Sequence, residues 1–236
     1  MRARTSSAAL HLLQALLEVS RGGRVFTSDE AVAVGTELGI SPGHAYKLLT
    51  ELTNRGILQR PRGRLYVMQP PFGGLHPVRP IAIAVHAVQP AAVSGDTALT
   101  HWDLIDQAPL HEEVVSTPVR IQWTHGARAD DRDRLWTVEG TIIRFRHVLP
   151  REMFGITSVR LDSETVVPIF DRERAILELL TQPAHGSAEW AAELLKAHRR
   201  DIDLTRLKDY ARRVDATEQV TRALSGGTPL TPVLAS

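Results

Sequence analysis

Cysteine is absent from all 236 positions. That excludes disulfides and thiolate metal sites, and it fits a reducing compartment. Long apolar runs are also absent, so no segment has the length that spans a bilayer. The N-terminal stretch MRARTSSAALHLLQALLEV is the nearest to a leader, but His11 and Gln14 break it and no small-residue cleavage site precedes Arg21-Gly22-Gly23. The expectation is a soluble cytoplasmic protein without a membrane partner. There is no glycine-rich phosphate loop and no Gly-x-Ser-x-Gly elbow. His111, His125, His147, His185 and His198 show no pairing at metal-ligand spacing. No repeat or low-complexity tract occurs. No cofactor, metal or catalytic residue is therefore expected, and the reading is a non-enzyme.

What is present is a globular composition, 43% hydrophobic and 23% charged. The length suits one large or two modest domains. Net charge is +1, which hides an asymmetry. Residues 1–68 hold nine Lys or Arg against five Asp or Glu, a net of +4; the remainder hold nineteen against twenty-two, a net of −3. A basic head on a mildly acidic body suits a nucleic-acid reader joined to something else.

The most informative stretch is Thr27–Met68. Ser41-Pro42 is a helix start: the serine oxygen is an acceptor for open N–H groups, and proline at the next position loses no bond. The helix should run to Arg55 and end at Gly56. Ala45, Leu48, Leu49 and Leu52 form one apolar stripe, and the other face carries His44, Tyr46, Lys47, Thr50, Glu51 and Asn54. Thr27-x-x-Glu30 fits a capping box for the preceding helix, whose apolar face is Ala31, Val34 and Leu38, with Gly39-Ile40 as the turn. Ile57–Arg60 and Arg64–Val67 read as strands around Pro61-Arg62-Gly63, a turn that displays Arg60, Arg62 and Arg64. Guanidinium groups on a hairpin suit phosphate oxygens or a narrow minor groove. The pattern Ser41-x3-Ala45-x-Lys47-x4-Leu52-x3-Gly56-Ile57-Leu58 resembles the winged helix-turn-helix family of transcription regulators.

Around this stretch, Ser7–Ser20 reads as a first helix with Leu10, Leu13 and Leu17 on its apolar face and Leu12 and Leu16 beside them. Arg24–Thr27 suits a short strand pairing with the wing. Residues 69–80, with four prolines and two glycines, read as a linker, or as an ordered strap anchored by Phe72 and Leu75. The second domain, 81–226, opens with an apolar helix at Ile81–Val88 and a turn into a helix at Val93–Trp102. Strand-like runs follow at Val114–Thr117, Val119–Trp123 and Thr141–Val148, with a mixed-charge loop at Ala127–Arg134 and a hairpin at Val159–Val167. Asp171 caps a helix containing Ala175, Ile176, Leu179 and Leu180, and amphipathic helices follow at Ser187–His198, Leu204–Val214 and Thr217–Leu224. Residues 227–236 are a tail. The fold class is α+β: a winged helix-turn-helix, then a mixed helix and antiparallel-sheet domain with a helical C-terminal end. Trp102, Trp123, Trp136 and Trp190 read as packing residues.

The body resembles the antitoxins of the AbiEi family, partners in type IV toxin–antitoxin pairs. The residues that carry this are Ser94-Gly95-Asp96-Thr97-Ala98-Leu99 with Trp102, then Ile143-Arg144-Phe145-Arg146, Met153-Phe154-Gly155-Ile156, and Phe170–Leu180. Asp103 stands where that family has glycine after the aromatic. The resemblance implies a repressor of its own operon that opposes a nucleotidyltransferase-like toxin. Capture of the toxin, reversal of its modification and protection of its target all stay open.

The candidate DNA-binding residues are Ser41, Gly43, His44, Tyr46, Lys47 and Thr50 on the helix and Arg60, Arg62 and Arg64 on the wing. The partner is double-stranded DNA with half-sites, read by two-fold pairing or repeated binding. Asp171, Arg172 and Arg174 are candidates for an RNA or toxin contact, or a cap with surface ion pairs. Two rival classes stay open. One is a metal-dependent nuclease or phosphoryl-transfer enzyme using Asp130, Asp131 and Asp133, or Asp171 and Glu173. The other is an adaptor whose winged helix binds protein.

Overall fold

Capping chemistry and glycine placement fix the first elements of the chain. The computed structural model describes residues 7–19, 23–106, 112–121, 133–161, 165–181 and 188–225. Helix α1 (Ser7–Val19) is followed by strand β1 (Val25–Thr27) and helix α2 (Ser28–Glu37). The Thr27 hydroxyl accepts from the Glu30 N–H at 3.2 Å, and the Glu30 carboxylate accepts from the Thr27 N–H at 2.6 Å. This is the capping box expected from the sequence. At the far end Gly39 turns left-handed with φ 77°, and the Ile40 N–H returns to the Gly35 carbonyl at 2.7 Å. Helix α3 (Pro42–Asn54) closes in the same way: Gly56 has φ 71°, and the Ile57 N–H bonds the Leu52 carbonyl at 3.0 Å. Strands β2 (Leu58–Arg62) and β3 (Leu65–Met68) form the wing, and β1 pairs with β3 in a sheet of order β1-β3-β2.

The wing turns later than the sequence reading placed it. Arg62 pairs with Leu65, so the loop is Gly63-Arg64 rather than Pro61-Arg62-Gly63. One extra residue between Gln59 and Arg62 makes a bulge, and Pro61, which has no N–H to give, is accommodated there. The core of this part comprises Ala9, Leu12, Leu13 and Leu16 of α1, Ala31 and Val34 of α2, and Leu48, Leu49 and Leu52 of α3, with Phe26, Ile57, Leu58, Tyr66 and Met68. Leu10 and Leu38, expected to face it, are 45% and 46% exposed. The buried stripe of α1 is centred on Leu12 and Leu16, and Leu38 is the cap residue of α2, where the chain has left the helical face.

The chain divides into two compact units, Met1–Gln89 with Ser158–Val167, and Pro90–Thr157 with Pro168–Ser236. The stretch 69–80, read as a linker, falls inside the first unit, as does helix α4 (Pro80–Ala87). Gly73 shows how the stretch packs. Its φ is 75°, and a Cβ there would lie 3.1 Å from Leu17 and 3.2 Å from the buried Arg24 side chain. Phe72 and Leu75 are not anchors; Leu75 is 83% exposed. His86 of α4 is buried, and its Nε2–H donates to the Val166 carbonyl at 2.9 Å. Burial lowers the pKa of His86, against the opposing effects of the Val166 carbonyl and Glu30.

In the second unit a short strand β4 (Ala92–Ser94) leads into helix α5 (Gly95–His101), then β5 (Glu112–Thr117), β6 (Asp133–Val138) and β7 (Thr141–His147). A single 3₁₀ turn (Pro150–Glu152) precedes β8 (Ile156–Arg160) and β9 (Val166–Phe170), strands that include the Ser158–Val167 stretch assigned to the first unit. Helices α6 (Arg172–Thr181), α7 (Ala188–Ala197), α8 (Leu204–Arg213) and α9 (Thr217–Ser225) complete the described chain. The sheet order is β6-β7-β5-β4-β9-β8. The class is α+β, with a mixed sheet rather than an antiparallel one: β5–β7 and β4–β9 run parallel, while β4–β5 and β6–β7 run antiparallel. The strand expected at Val119–Trp123 does not form over Val119–Ile121, and β6 replaces part of the expected mixed-charge loop. Trp123, residues 162–164 of the hairpin and the tail lie outside the described residues. Glu139 and Gly140 both have positive φ, 47° and 85°, in the two-residue turn that joins β6 to β7. Asp103 adopts φ 55°, a conformation glycine takes freely and aspartate tolerates. No helix among the described residues is long and apolar enough to cross a membrane.

Helix α6 is buried from Glu173 to Leu180 and packs against α5, α7, α8 and α9. Its charged residues therefore need partners. Glu178, 1% exposed, accepts from Arg146 Nη1 at 2.9 Å and from the Gly95 N–H at 2.9 Å. The Ser116 hydroxyl lies 3.4 Å from the same carboxylate and donates to Ser94 Oγ at 2.8 Å. Arg146→Met should cost roughly 3–5 kcal/mol because it takes a guanidinium away from the buried Glu178 carboxylate. Adding Glu178→Gln removes that charge and keeps an acceptor for Gly95, so urea unfolding of the double variant should recover most of the loss. His86 gives the second expectation. Its pKa is depressed in the fold from an ordinary 6.5, so the stability it confers is present above 6.5 and is lost as pH falls through the folded value. Thermal melts between pH 7.5 and 5 should show a smaller acid loss for His86→Gln than for the unchanged protein.

Candidate nucleic-acid interface

Helix α3 splits cleanly into two faces. Ala45, Leu48, Leu49 and Leu52 are at most 3% exposed, and they account for the apolar stripe. Ser41, Gly43, His44, Tyr46, Lys47 and Thr50 are all exposed. Tyr46 is 47% exposed. Ser41 is the cap residue, yet its side chain makes no capping bond, contrary to expectation. Its carbonyl instead accepts from the His44 and Ala45 N–H groups at 3.0 and 2.9 Å. A Cβ on Gly43 would meet nothing within 4 Å, so the fold itself does not require glycine there. The Thr50 hydroxyl donates to the Tyr46 carbonyl at 3.0 Å and keeps its lone pairs outward. Glu51, the one acid on this helix, is paired with Arg55 one turn on.

The three wing arginines are held differently. Arg60 is exposed; its Nε donates to the Gly63 carbonyl across the turn, and its guanidinium lies 5.7 Å from the Tyr66 ring centre. Arg62 is half-buried, which lowers its pKa from the usual value yet leaves it charged at neutral pH. Arg64 is exposed, and its Nη1 reaches both carboxylate oxygens of Asp29 on α2, at 3.0 and 3.3 Å. Asp29 is not among the residues expected from the sequence. Its only signal is an acid in the first turn of α2, and the contact spans 35 positions. The wing thus presents cations at its tip, with Arg62 set further back than expected.

Asp171, Arg172 and Arg174 all make contacts within the second unit. Asp171 Oδ1 accepts from the Arg174 N–H at 2.8 Å, the helix-capping alternative, and Oδ2 accepts from the Tyr210 hydroxyl at 2.8 Å. Arg174 is 3% exposed, with its guanidinium 4.6 Å from the Phe170 ring and 5.1 Å from Phe154. Arg172 lies 5.4 Å from the Trp102 ring, whose Nε1–H donates to the Phe170 carbonyl at 2.8 Å. Gly155 fits against this cluster only as glycine: a Cβ would stand 2.8 Å from Arg174 and 2.9 Å from Tyr210. Burial raises the Asp171 carboxyl, opposed by its two hydrogen bonds, and burial together with Asp171 pushes the Tyr210 hydroxyl up to about 12. Glu173 accepts from the Asp203 N–H at 2.8 Å and faces Arg206 at 3.4 Å. Asp171 and Glu173 are thus spoken for by the fold. No group of acids and histidines that could hold a metal occurs among the described residues. Asp130 and Asp131 lie outside them.

No protein-family model and no curated protein matches the sequence. Among solved structures the chain is similar to the crystal structure of the RV2827C protein from Mycobacterium tuberculosis. The TM-score is 0.51 over 98% of this chain and 84% of that one, at 17% identity. That likeness concerns the fold alone.

If the polar face of α3 is free of structural duty, its side chains are removable. Tyr46→Ala and Lys47→Ala should each shift unfolding free energy by no more than about 0.5 kcal/mol. Leu49→Ala, on the opposite face, should cost about 2–5 kcal/mol in the same urea titration.

Proposed function

We propose that this chain is a DNA-binding transcriptional repressor that acts in the cytoplasm as the antitoxin of a toxin–antitoxin pair. In this reading it regulates its own promoter and opposes a nucleotidyltransferase-like toxin. One observation carries the DNA part: α3 turns an unbroken exposed row of Ser41, Gly43, His44, Tyr46, Lys47 and Thr50 away from a fully buried stripe, beside a wing bearing Arg60, Arg62 and Arg64. A helix of this length fits a major groove, where its first turns meet base edges. Lys47 suits a guanine edge or a phosphate, Tyr46 and Thr50 offer oxygens, and the wing arginines suit the backbone.

The antitoxin part rests on the family resemblance, and the geometry is consistent with it. Ser94 and Gly95, Arg146 and Glu178 come from three separate motifs of that resemblance and join one buried hydrogen-bonded network. Gly155, Asp171 and Arg174 join a second, where the Asp171 N–H donates to the Gly155 carbonyl at 2.7 Å. An adjacent, co-transcribed gene for a nucleotidyltransferase-like protein would support the pairing.

Fluorescence anisotropy with DNA from upstream of the gene tests the reading. The unchanged protein should bind that duplex more tightly than a scrambled one. Lys47→Ala should weaken specific binding by roughly five- to a hundredfold. Arg62→Gln should weaken all duplexes alike and flatten the salt slope by about one unit. Equal, weak binding of every duplex by all three proteins would defeat the proposal.

A further inference from the structure

The wing tip is tied to the start of α2 twice. The Ser28 N–H donates to the Arg64 carbonyl at 2.8 Å, which fixes the backbone. The Arg64 guanidinium then meets both oxygens of Asp29, in a pair whose side chains are 73% and 63% exposed. Here one guanidinium nitrogen, Nη1, spans both carboxylate oxygens, a charge-assisted contact that the oxygens of a phosphate could equally accept. Arg60 is held otherwise: its internal partner is a neutral carbonyl of the same hairpin, which adds no negative charge to the surface.

We propose that Asp29 is an internal stand-in for a backbone phosphate, occupying Arg64 until a duplex displaces it. The inference rests on the DNA-binding reading above. Two exposed partners in water exchange readily, so the pair is a weak restraint that salt weakens further. Its effect is to lower affinity for any duplex at low ionic strength, with no effect on which bases α3 prefers. Displacement also keeps the cation count balanced: Arg64 leaves one anion and gains another, so fewer counterions are released than the charge of the wing suggests.

The test uses the full chain and a random-sequence duplex, with the unchanged protein, Asp29→Asn, Arg64→Ala and the double variant. Anisotropy titrations across a series of salt concentrations give affinity and salt slope. Asp29→Asn should bind about two- to fivefold tighter at low salt, the scale of an exposed ion pair, with a slope steeper by up to about one unit. In the Arg64→Ala background the same change should give no gain. A gain that persists without Arg64 would mean general charge repulsion and overturn the proposal. Weaker binding by Asp29→Asn would overturn it too, making Asp29 an orienting partner, as would no change. If none of the four proteins binds any duplex while their melting temperatures agree, the DNA reading itself fails and this inference falls with it. If the unchanged protein binds and Asp29→Asn is no tighter, only the inference falls.

Discussion

Burial of four side chains sets the rotation of α3 about its own axis. With about 3.6 residues per turn, seating Ala45, Leu48, Leu49 and Leu52 in the core leaves one direction for Lys47 and Thr50. The caps at either end then limit sliding along the axis: Pro42 opens the helix, and Gly56 closes it in a left-handed turn. Close approach by α2 holds the frame. A Cβ on Gly35 would lie 3.5 Å from the Ala45 Cβ and 3.6 Å from that of Ile40, ordinary contact distances. Small residues at this point bring the two helices together, so the presentation of the polar row follows from apolar packing underneath it.

The second unit is built on a different constraint. Its central helix α6 has charged residues at buried positions, and they meet specific neighbouring groups. Glu178 takes a guanidinium and a backbone N–H, Glu173 takes the N–H that starts α8, and Arg174 lies against aromatic rings. Such pairs add little net stability over apolar side chains, yet leaving one partner alone is costly. Their effect is to permit one arrangement of helix against sheet, because a slipped register would orphan a charge.

Local signals were the legible part of the sequence. The Thr27 capping box, the Gly56 stop and the apolar stripe of α3 all follow from residues within a few positions of one another or from period alone. Errors came where geometry depends on distant partners. Pro61 drew the expected turn toward itself, whereas the pairing of Arg62 with Leu65 places it at Gly63-Arg64. Strand β6 was hidden because it begins at the end of a run of alternating charges, and its reason to be extended is β7. The parallel pairing of β5 with β7 joins strands separated by another strand, a relation no short pattern encodes. In the candidate interface, the exposed row of α3 was legible from periodicity, but the restraint of Arg64 by Asp29 and the burial of Arg174 were not. Alternating charge at the start of a helix looks the same whether it is solvated or folded over aromatic rings.

The wing's bulge bears on self-association. Strand β2 is at the edge of its sheet, and such an edge offers unpaired N–H and carbonyl groups to any passing strand. Pro61 removes one of those donors, the extra residue breaks the repeat, and Arg60 and Arg62 flank the break. The bulged hairpin is thereby a poor template for strand addition. Two copies of the chain brought side by side would stay separate at this edge, and any contact between them would have to form elsewhere on the surface.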